Sequence, residues 1–245
     1  MNQLTAPPAE RRLLCVVAHP DDETFGSGST FIKYASEGVL VYTACATWGD
    51  VGEIAAGSAA TPETLSAVRE QEYCGTGKVM GVERSILYGY SDSGMAGTPD
   101  NKHPNAFINL PIVVARIVDT IRELRPHIVI TFDEAGGGGH PDLMYASKAA
   151  KLAYFVADDP EYSAPNLESR EPWSPSRLYY HSFPRSRMKK WLSMLAEAEA
   201  EAEPDSDLAK LDPEQMGVPD EQMTTVLGTS PYAEKRRAAI AVYRT

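Results

Sequence analysis

The chain contains little cysteine, little histidine and no long apolar run. Its 245 residues include three cysteines and five histidines. Cys15, Cys45 and Cys74 show no C-x-x-C spacing, which predicts free thiols in a reducing compartment. No stretch of 18 apolar residues could span a membrane, and no apolar run of signal-peptide length precedes the first strand-like segment. We therefore expect a cytoplasmic protein.

Basic residues are also scarce relative to acidic ones. The sequence has 23 Lys and Arg against 34 Asp and Glu, giving a formal net charge of −11. This balance argues against a nucleic acid or an anionic membrane as the main partner. Charge alone does not identify the substrate, so a small-molecule substrate and a homo-oligomer both remain open at this point.

Short β-branched runs alternate with longer helical segments along the first 155 residues. This alternation is typical of βαβ units and a mostly parallel sheet with helices on both faces. Strand-like runs occupy 13–18, 39–47, 84–90, 127–132 and 177–183, and helical segments occupy 27–37, 61–80, 106–125, 141–157 and 231–243. We expect a single α/β domain over 1–245, a Rossmann-like three-layer sandwich with a helical and acidic excursion around 186–222.

The first strand-like run is followed by His19-Pro20-Asp21-Asp22-Glu23 rather than by a glycine-rich phosphate loop. A nucleotide site would want G-x-G-x-x-G here, and three carboxylates would repel phosphate. A histidine with a carboxylate three residues on, His19 and Asp22, is plausible spacing for a metal site at a tight turn. The neighbouring Asp21 could then take a proton from water. A solvated acidic turn with a capping aspartate is the alternative.

The fourth run leads to four consecutive glycines and then His140-Pro141-Asp142. A histidine at this position could donate to a developing oxyanion or protonate a leaving amine; alternatively it only caps the following helix. Because ligands bind beyond the carboxyl ends of parallel strands, these groups should meet at one edge. Glu53 and Met95 follow the second and third runs and are candidate substrate contacts, with a solvated loop acid and core packing as their alternatives.

Four ordered motifs, AHPDDE at 18–23, REQE at 69–72, GYSDSGM at 89–95 and GHPD at 139–142, resemble the PIG-L/LmbE-like family of zinc-dependent de-N-acetylases. The resemblance implies an N-deacetylase of N-acetylglucosamine-type substrates with bound zinc. The roles that it implies are zinc ligation by His19 and Asp22, general base catalysis by Asp21, sugar contacts by Arg69 and Asp92, and assistance to the oxyanion or leaving group by His140.

The chain departs from the family pattern at three places, of which position 143 is the serious one. The family's third zinc ligand is a histidine directly after GHPD, where this chain has Leu143. His140, Asp142, His103 or His181 could complete the coordination. Alternatively the metal binds weakly or not at all, or the leucine is an introduced substitution.

Three functional hypotheses follow. The first is a metal-dependent amide hydrolase that removes an acetyl group from an N-acetylglucosamine-type substrate or conjugate. The second is a catalytically impaired relative that binds a sugar-like ligand without hydrolysis, because Leu143 replaces a ligand. The third is an unrelated nucleotide-binding module of the same fold class.

Overall fold

The centre of the molecule is a sheet of five parallel strands in the order β3-β2-β1-β4-β5. The computed structural model describes residues 10–109, 113–164, 170–199 and 217–245. The strands are β1 (Arg12–Val17), β2 (Leu40–Thr47), β3 (Arg84–Tyr90), β4 (Ile128–Phe132) and β5 (Arg177–His181). β1 is buried from its second residue onward, as expected for a central strand covered on both faces.

Helices connect successive strands and also follow the last strand. They are α1 (Asp22–Ser36), α2 (Leu65–Met80), α3 (Val113–Leu124), the single turn α4 (Gly136–Gly139), α5 (Pro141–Val156), α6 (Arg185–Glu199) and α7 (Ala233–Ile240). α1, α2 and α7 pack together, as do α3 and α5. Because crossovers between parallel strands are right-handed, the two groups cover opposite faces of the sheet. The α/β fold with a parallel sheet and helices on both faces is confirmed.

The strand order reverses direction at β1. From β1 the chain moves outward through β2 to β3, then crosses back to β4 on the other side of β1. The carboxyl ends of β1 and β4 therefore flank a topological switch point, where open α/β sheets form their ligand crevice. The loops that follow these two strands hold both histidine-containing motifs.

Several boundaries differ from the sequence-based expectation. The helix expected from 61 begins at Leu65, because Thr61 N–H donates to Thr64 Oγ1 in a preceding turn. The helix expected over 106–125 begins at Val113, and a separate 3-10 turn covers Phe107–Asn109. The helix expected from 27 already begins at Asp22, since the Thr24 and Phe25 amides donate to the Asp21 carbonyl.

The expected excursion around 186–222 is described only in part. α6 (Arg185–Glu199) accounts for its first half, and residues 200–216 lie outside the described residues. All three cysteines are free thiols, of which Cys15 and Cys45 are buried. Within the described ranges, no helix is both long enough and apolar enough to cross a membrane.

Candidate active site

The turn after β1 places a histidine against a carboxylate. The His19 backbone N–H donates to Asp22 Oδ2 over 2.8 Å, which closes the turn. The same Oδ2 atom lies 3.8 Å from His19 Nδ1. Both side chains are largely buried, with 12% and 14% of their surfaces exposed. The pair predicted from its spacing is thus brought together by the local fold.

The opposite side of the His19 ring faces two other carboxylates. Its Nε2 lies 3.1 Å from Asp142 Oδ2 and 3.5 Å from Asp92 Oδ1. Ionised carboxylates only accept hydrogen bonds, so Nε2 is the protonated nitrogen of this ring. The ring therefore directs Nδ1 toward Asp22, and an acceptor facing an acceptor needs a cation between them, either a proton on Nδ1 or a metal ion.

These residues fit a divalent metal ion at that position. Zinc binds imidazole nitrogen at about 2.0–2.1 Å and carboxylate oxygen at about 2.0–2.2 Å, so one ion can contact both atoms across a gap of this size. A metal-bound histidine usually donates its other N–H to a carboxylate, which is the relation between His19 and Asp142. Asp142 is fully buried, and its Oδ1 has no hydrogen-bond partner.

The site is electrostatically acidic. Burial raises the pKa of Asp21 to about 6, with Glu23 adding to the rise, and burial raises the pKa of Asp22 to about 7. Burial lowers the pKa of His19, but hydrogen bonds to Asp142 and Asp92 outweigh it and leave that pKa well above its usual value. One imidazole among this many carboxylates leaves negative charge that a bound cation would neutralise.

Asp92 forms the charged partner of His19. Burial raises the pKa of Asp92, yet the hydrogen bond from His19 and its charge outweigh burial and lower that pKa to about 2. The Gly94 N–H also donates to Asp92 Oδ1 over 2.8 Å. Asp92 is therefore an anion fixed in orientation by backbone and ring donors.

His140 caps α5 and faces His19 across the crevice. The two rings lie edge to face with centroids 4.7 Å apart. His140 Nδ1 accepts a hydrogen bond from the Asp142 N–H over 3.2 Å. Because Nδ1 supplies its lone pair to this cap, the neutral ring holds its proton on Nε2. Burial lowers the pKa of His140, as does the neighbouring His19 charge, so His140 is a neutral N–H donor.

Leu143 offers no lone pair and packs against the hydrophobic core. Among the described residues, His19, Asp92 and His140 form a group of three metal-type side chains with donor atoms within 4.8 Å of one another. The cap hydrogen bond, however, occupies the Nδ1 lone pair of His140 and leaves Nε2 protonated. Neither the apolar Leu143 nor the capping His140 therefore fits a metal ligand, whereas His19 and Asp22 do.

The other residues considered for that ligand make other contacts. Asp142 Oδ2 is engaged by His19 Nε2 and by the Ser93 N–H. His103 is exposed, and its Nδ1 accepts from the Asn105 N–H. His181 packs against Phe183 and lies 3.5 Å from the Ser27 hydroxyl.

Arg69 is buried beneath the turn after β2. A Cβ atom on Gly49 or Gly52 would lie 2.5–2.6 Å from its guanidinium, so these glycines let the turn cover the arginine. Its Nη2 lies 3.4 Å from the Glu53 carbonyl, and its Nε is buried without a partner. The arginine is therefore held at the edge of the crevice by backbone contacts.

A cavity of about 160 Å³ adjoins Asp92. Asp50 lines it and accepts the Asp92 N–H over 2.8 Å. The Met95 side chain is 55% exposed, and the Glu53 side chain is also exposed. The residues expected at the site thus divide into a buried centre around His19 and two exposed residues, Glu53 and Met95.

Sequence reasoning did not assign the supporting residues. Asp142 was considered only as a ligand, whereas it orients His19, and Ser93 and Asp50 fix the neighbouring carboxylates through backbone contacts. Glu23 is 1% exposed and accepts hydrogen bonds inside the fold. The available signal was position alone, since each residue adjoins a motif at the end of a strand.

The model of the PIG-L family, described as GlcNAc-PI de-N-acetylase, matches residues 14–154, more than half of the chain. The chain belongs to this family. A 1D-myo-inositol 2-acetamido-2-deoxy-alpha-D-glucopyranoside deacetylase of Geodermatophilus obscurus is 36% identical over 96% of this chain and 82% of its own length. The enzyme of the same name from Thermobifida fusca is 33% identical over 96% of this chain and 83% of its own length.

Solved structures confirm the PIG-L fold. The N,N'-diacetylchitobiose deacetylase of Pyrococcus horikoshii matches with a TM-score of 0.65 at 18% identity, covering 98% of this chain and 73% of its own. The 4-carboxy-2-hydroxymuconate hydratase of Pseudomonas putida matches with the same TM-score and identity, covering 95% and 78%. One of these neighbours is a deacetylase and the other a hydratase, so the shared fold does not determine the reaction.

Proposed function

We propose that this member of the PIG-L family is a metal-dependent amide hydrolase that removes the acetyl group from an N-acetylglucosamine-type substrate or conjugate. The observation that carries the proposal is His19, whose Nδ1 faces Asp22 while its Nε2 is held by Asp142. Curated relatives aligned over nearly the whole chain are named as deacetylases of an acetamido sugar linked to inositol. This supports the hydrolase, and nothing in the comparisons supports the non-hydrolysing alternative.

His19 and Asp22 would hold the metal, for which zinc is our proposal because imidazole and carboxylate are ligands that it accepts. When bound, a divalent ion polarises a carbonyl oxygen and acidifies a coordinated water. These two residues are the protein ligands that the geometry supplies, since the side chain at 143 is apolar. We propose that the chain works with this reduced ligand set.

Asp21 is proposed as the general base. The carboxylate of Asp22 is engaged with His19, and that of Glu23 is enclosed in the fold. Asp21 is partly exposed, as Asp22 is, but its carboxylate does not close the turn on His19. It is thus the carboxylate of this turn that is placed to take a proton from water as that water attacks an amide carbonyl.

His140 is proposed as the donor to the developing oxyanion or to the leaving amine. Its cap hydrogen bond places the proton on Nε2, and its ring faces His19 across the crevice. A donor fixed by the first turn of a helix requires little reorganisation during the reaction.

The sugar is proposed to bind between Arg69 and Asp92, with Glu53 and Met95 at the rim. Arg69 retains a buried Nε without a partner, and Asp92 borders the cavity of about 160 Å³. Sugar hydroxyl groups can donate to a carboxylate and accept from a guanidinium.

Free thiols at Cys15, Cys45 and Cys74 support the expected cytoplasmic location.

The test is release of acetate from N-acetylglucosaminyl-inositol, N-acetylglucosamine and N,N'-diacetylchitobiose, with zinc, cobalt or manganese supplied. We expect metal-dependent release with at least one substrate and its loss in Asp21→Asn. Asp119→Asn, a change in a second cavity remote from the crevice, should retain activity. Absence of turnover with every metal, or equal turnover in Asp21→Asn, would refute the proposed hydrolase.

A further inference from the structure

The backbone of Asp21 is held in a strained conformation. Its φ is 112° and its ψ is −35°, values that L residues other than glycine rarely adopt. Such residues persist where the surrounding structure over-determines them, and they cluster at functional sites. On one side, the Asp21 carbonyl accepts from the Thr24 and Phe25 amides at the start of α1. The backbone N–H of Asp21 is held by a separate contact.

That contact is the Glu23 carboxylate. Glu23 Oε2 accepts the Asp21 N–H over 3.1 Å. Glu23 Oε1 accepts from the hydroxyls of Thr24 at 2.5 Å and Tyr243 at 2.9 Å. The Thr76 hydroxyl lies 3.2 Å from the same oxygen and shares its proton with the Tyr73 carbonyl at 2.9 Å. The Glu23 side chain is 1% exposed. One oxygen is thus fixed by three hydroxyls, and the rigid carboxylate presents its other oxygen to the strained residue.

Tyr243 reaches Glu23 from the segment that follows α7. The next two residues are tied to α2, since the Arg244 N–H and the Thr245 hydroxyl both donate to the Glu72 carboxylate, at 2.8 and 2.6 Å. The preceding Val242 packs against Gly75 of α2, where a Cβ atom would lie 3.0 Å from its Cγ1. Tyr243 is therefore fixed from both sides while its hydroxyl enters the buried network.

α7 itself makes a second contact with the same turn. The Arg236 guanidinium donates from Nη2 to the Phe25 carbonyl at 2.6 Å and from Nε to the Thr24 carbonyl at 3.3 Å. The C-terminal segment thus contacts the start of α1 both on its backbone and through the Glu23 carboxylate. Residues more than 200 positions apart in sequence jointly define the conformation of the acidic turn.

We propose that Tyr243 is a positioning residue: through Glu23 it holds the Asp21 backbone in the conformation that places the Asp21 carboxylate at the site. The inference rests on the proposed function for its kinetic consequence, but not for its structural one. Without the tyrosine hydroxyl, Glu23 keeps fewer donors and can rotate, and the strained Asp21 is then free to relax. The substrate-binding groups near Arg69 lie outside this network and stay in place.

The kinetic experiment compares Tyr243→Phe with Tyr88→Phe. Tyr88 is a matched control, because it is buried and its hydroxyl donates to the Thr120 hydroxyl at 2.8 Å, away from the site. Misplacing a catalytic group by about 1 Å can cost about 100-fold in rate. A partial relaxation in Tyr243→Phe should lower kcat about tenfold with KM within about twofold. Tyr88→Phe should lower thermal stability comparably and leave kcat unchanged.

Thr76 supplies a second pair of variants. Thr76→Ser retains a hydroxyl for Glu23 and should keep kcat, whereas the near-isosteric Thr76→Val removes it and should lower kcat in the same direction as Tyr243→Phe. Equal kcat in wild type, Tyr243→Phe and Thr76→Val would overturn the proposal, as would an equal loss in Tyr88→Phe.

Amide hydrogen exchange at Asp21, followed by NMR, tests the structural step without any activity. The Asp21 amide should exchange faster in Tyr243→Phe than in wild type or Tyr88→Phe, because its acceptor is no longer held. If Asp21 protection is unchanged, the positioning proposal is wrong whatever the enzyme does. If exchange changes but wild type releases no acetate from any substrate, the proposed hydrolase function fails and the positioning contact stands.

Discussion

The Nε2 atom of His19 lies 3.1 Å from the Oδ2 atom of Asp142, whose side chain is 0% exposed. The same Oδ2 atom accepts the Ser93 N–H over 2.9 Å. One buried carboxylate therefore fixes the tautomer and the orientation of the histidine and connects the loop after β3 to the first turn of α5. Its contribution to the proposed metal site can be measured.

Asp142→Asn should weaken metal binding about 10- to 100-fold, the usual effect of losing the carboxylate behind a metal-bound histidine. The substitution is nearly isosteric and its amide oxygen can still accept both hydrogen bonds, but it removes the negative charge behind the His19 ring. Competition with a chelator, read by cobalt absorbance, measures the affinity. Asp119→Asn is the control, and unchanged affinity in Asp142→Asn would show that Asp142 does not act on the metal site.

Leu143→His should tighten metal binding about 100-fold. Structural zinc sites gain about 10–16 kcal/mol from roughly four ligands, so one added ligand is worth about 3 kcal/mol, or about 100-fold. The same chelator competition applies, with Leu143→Ala as a variant that also perturbs packing but adds no lone pair. If the wild-type chain already binds zinc as tightly as Leu143→His, another group supplies the third ligand.

His140→Asn should reduce kcat about 100- to 1,000-fold, the effect of losing one donor to an oxyanion. Asparagine is a good N-cap residue, so α5 should keep its cap. Metal affinity should stay within twofold of wild type, because we propose His140 as a donor in this site rather than a ligand. A parallel collapse of metal affinity would instead identify His140 as a ligand.

Gly52→Ala should raise KM more than it lowers kcat. A Cβ at this position would lie 2.6 Å from Arg69 Nη2, so the guanidinium must move. Gly228→Ala is the control, because nothing lies within 4 Å of its Cβ position. Steady-state kinetics on the best acetamido sugar measure both variants, and an unchanged KM in Gly52→Ala would argue against a substrate contact by Arg69.

His181 should make folding stability sensitive to acid. Burial lowers its pKa to about 4, with Arg236 contributing and Asp133 opposing. Because the folded-state pKa lies below the unfolded value of about 6.5, its neutral form is preferred in the fold. Stability from this group is complete above about pH 6.5 and is lost as the pH falls toward 4, which costs about 2 kcal/mol at pH 5.

Urea unfolding at pH 7 and pH 5 tests this expectation. The acid-induced loss should be smaller in His181→Gln, which stays neutral, and the comparison with wild type cancels contributions from other titrating groups. An identical loss in the two proteins would exclude His181 as the source.

Much of the fold was predictable from the sequence because apolar runs of strand length are an unambiguous local signal. The run at 84–90 coincides with β3, and the other strands begin within one residue of expectation. Helix starts were less accurate, as at Leu65, because a threonine and a proline can form a turn before a helix as readily as they begin one.

The site was predictable where a contact is local and not where it is long-range. The His19–Asp22 contact spans three residues and follows from the turn. The contacts of Glu23 with Tyr243 and of His19 with Asp142 join distant segments. No periodicity or spacing encodes them, so only the folded chain shows which of several carboxylates orients a histidine and which one supports the turn.

The parallel sheet also separates the buried centre of the site from an exposed segment that can be substituted. The buried centre of the site is built from the loops after β1, β3 and β4, whereas the segment after β5 begins with the exposed Phe183 and continues into α6 with the exposed Trp191. A combinatorial library confined to exposed positions of this segment, such as Phe183, Trp191 and Met194, would therefore diversify the outer surface near the last strand while sparing every residue of the buried centre. For an engineer who seeks a different acetamido substrate, that segment is the natural place to begin.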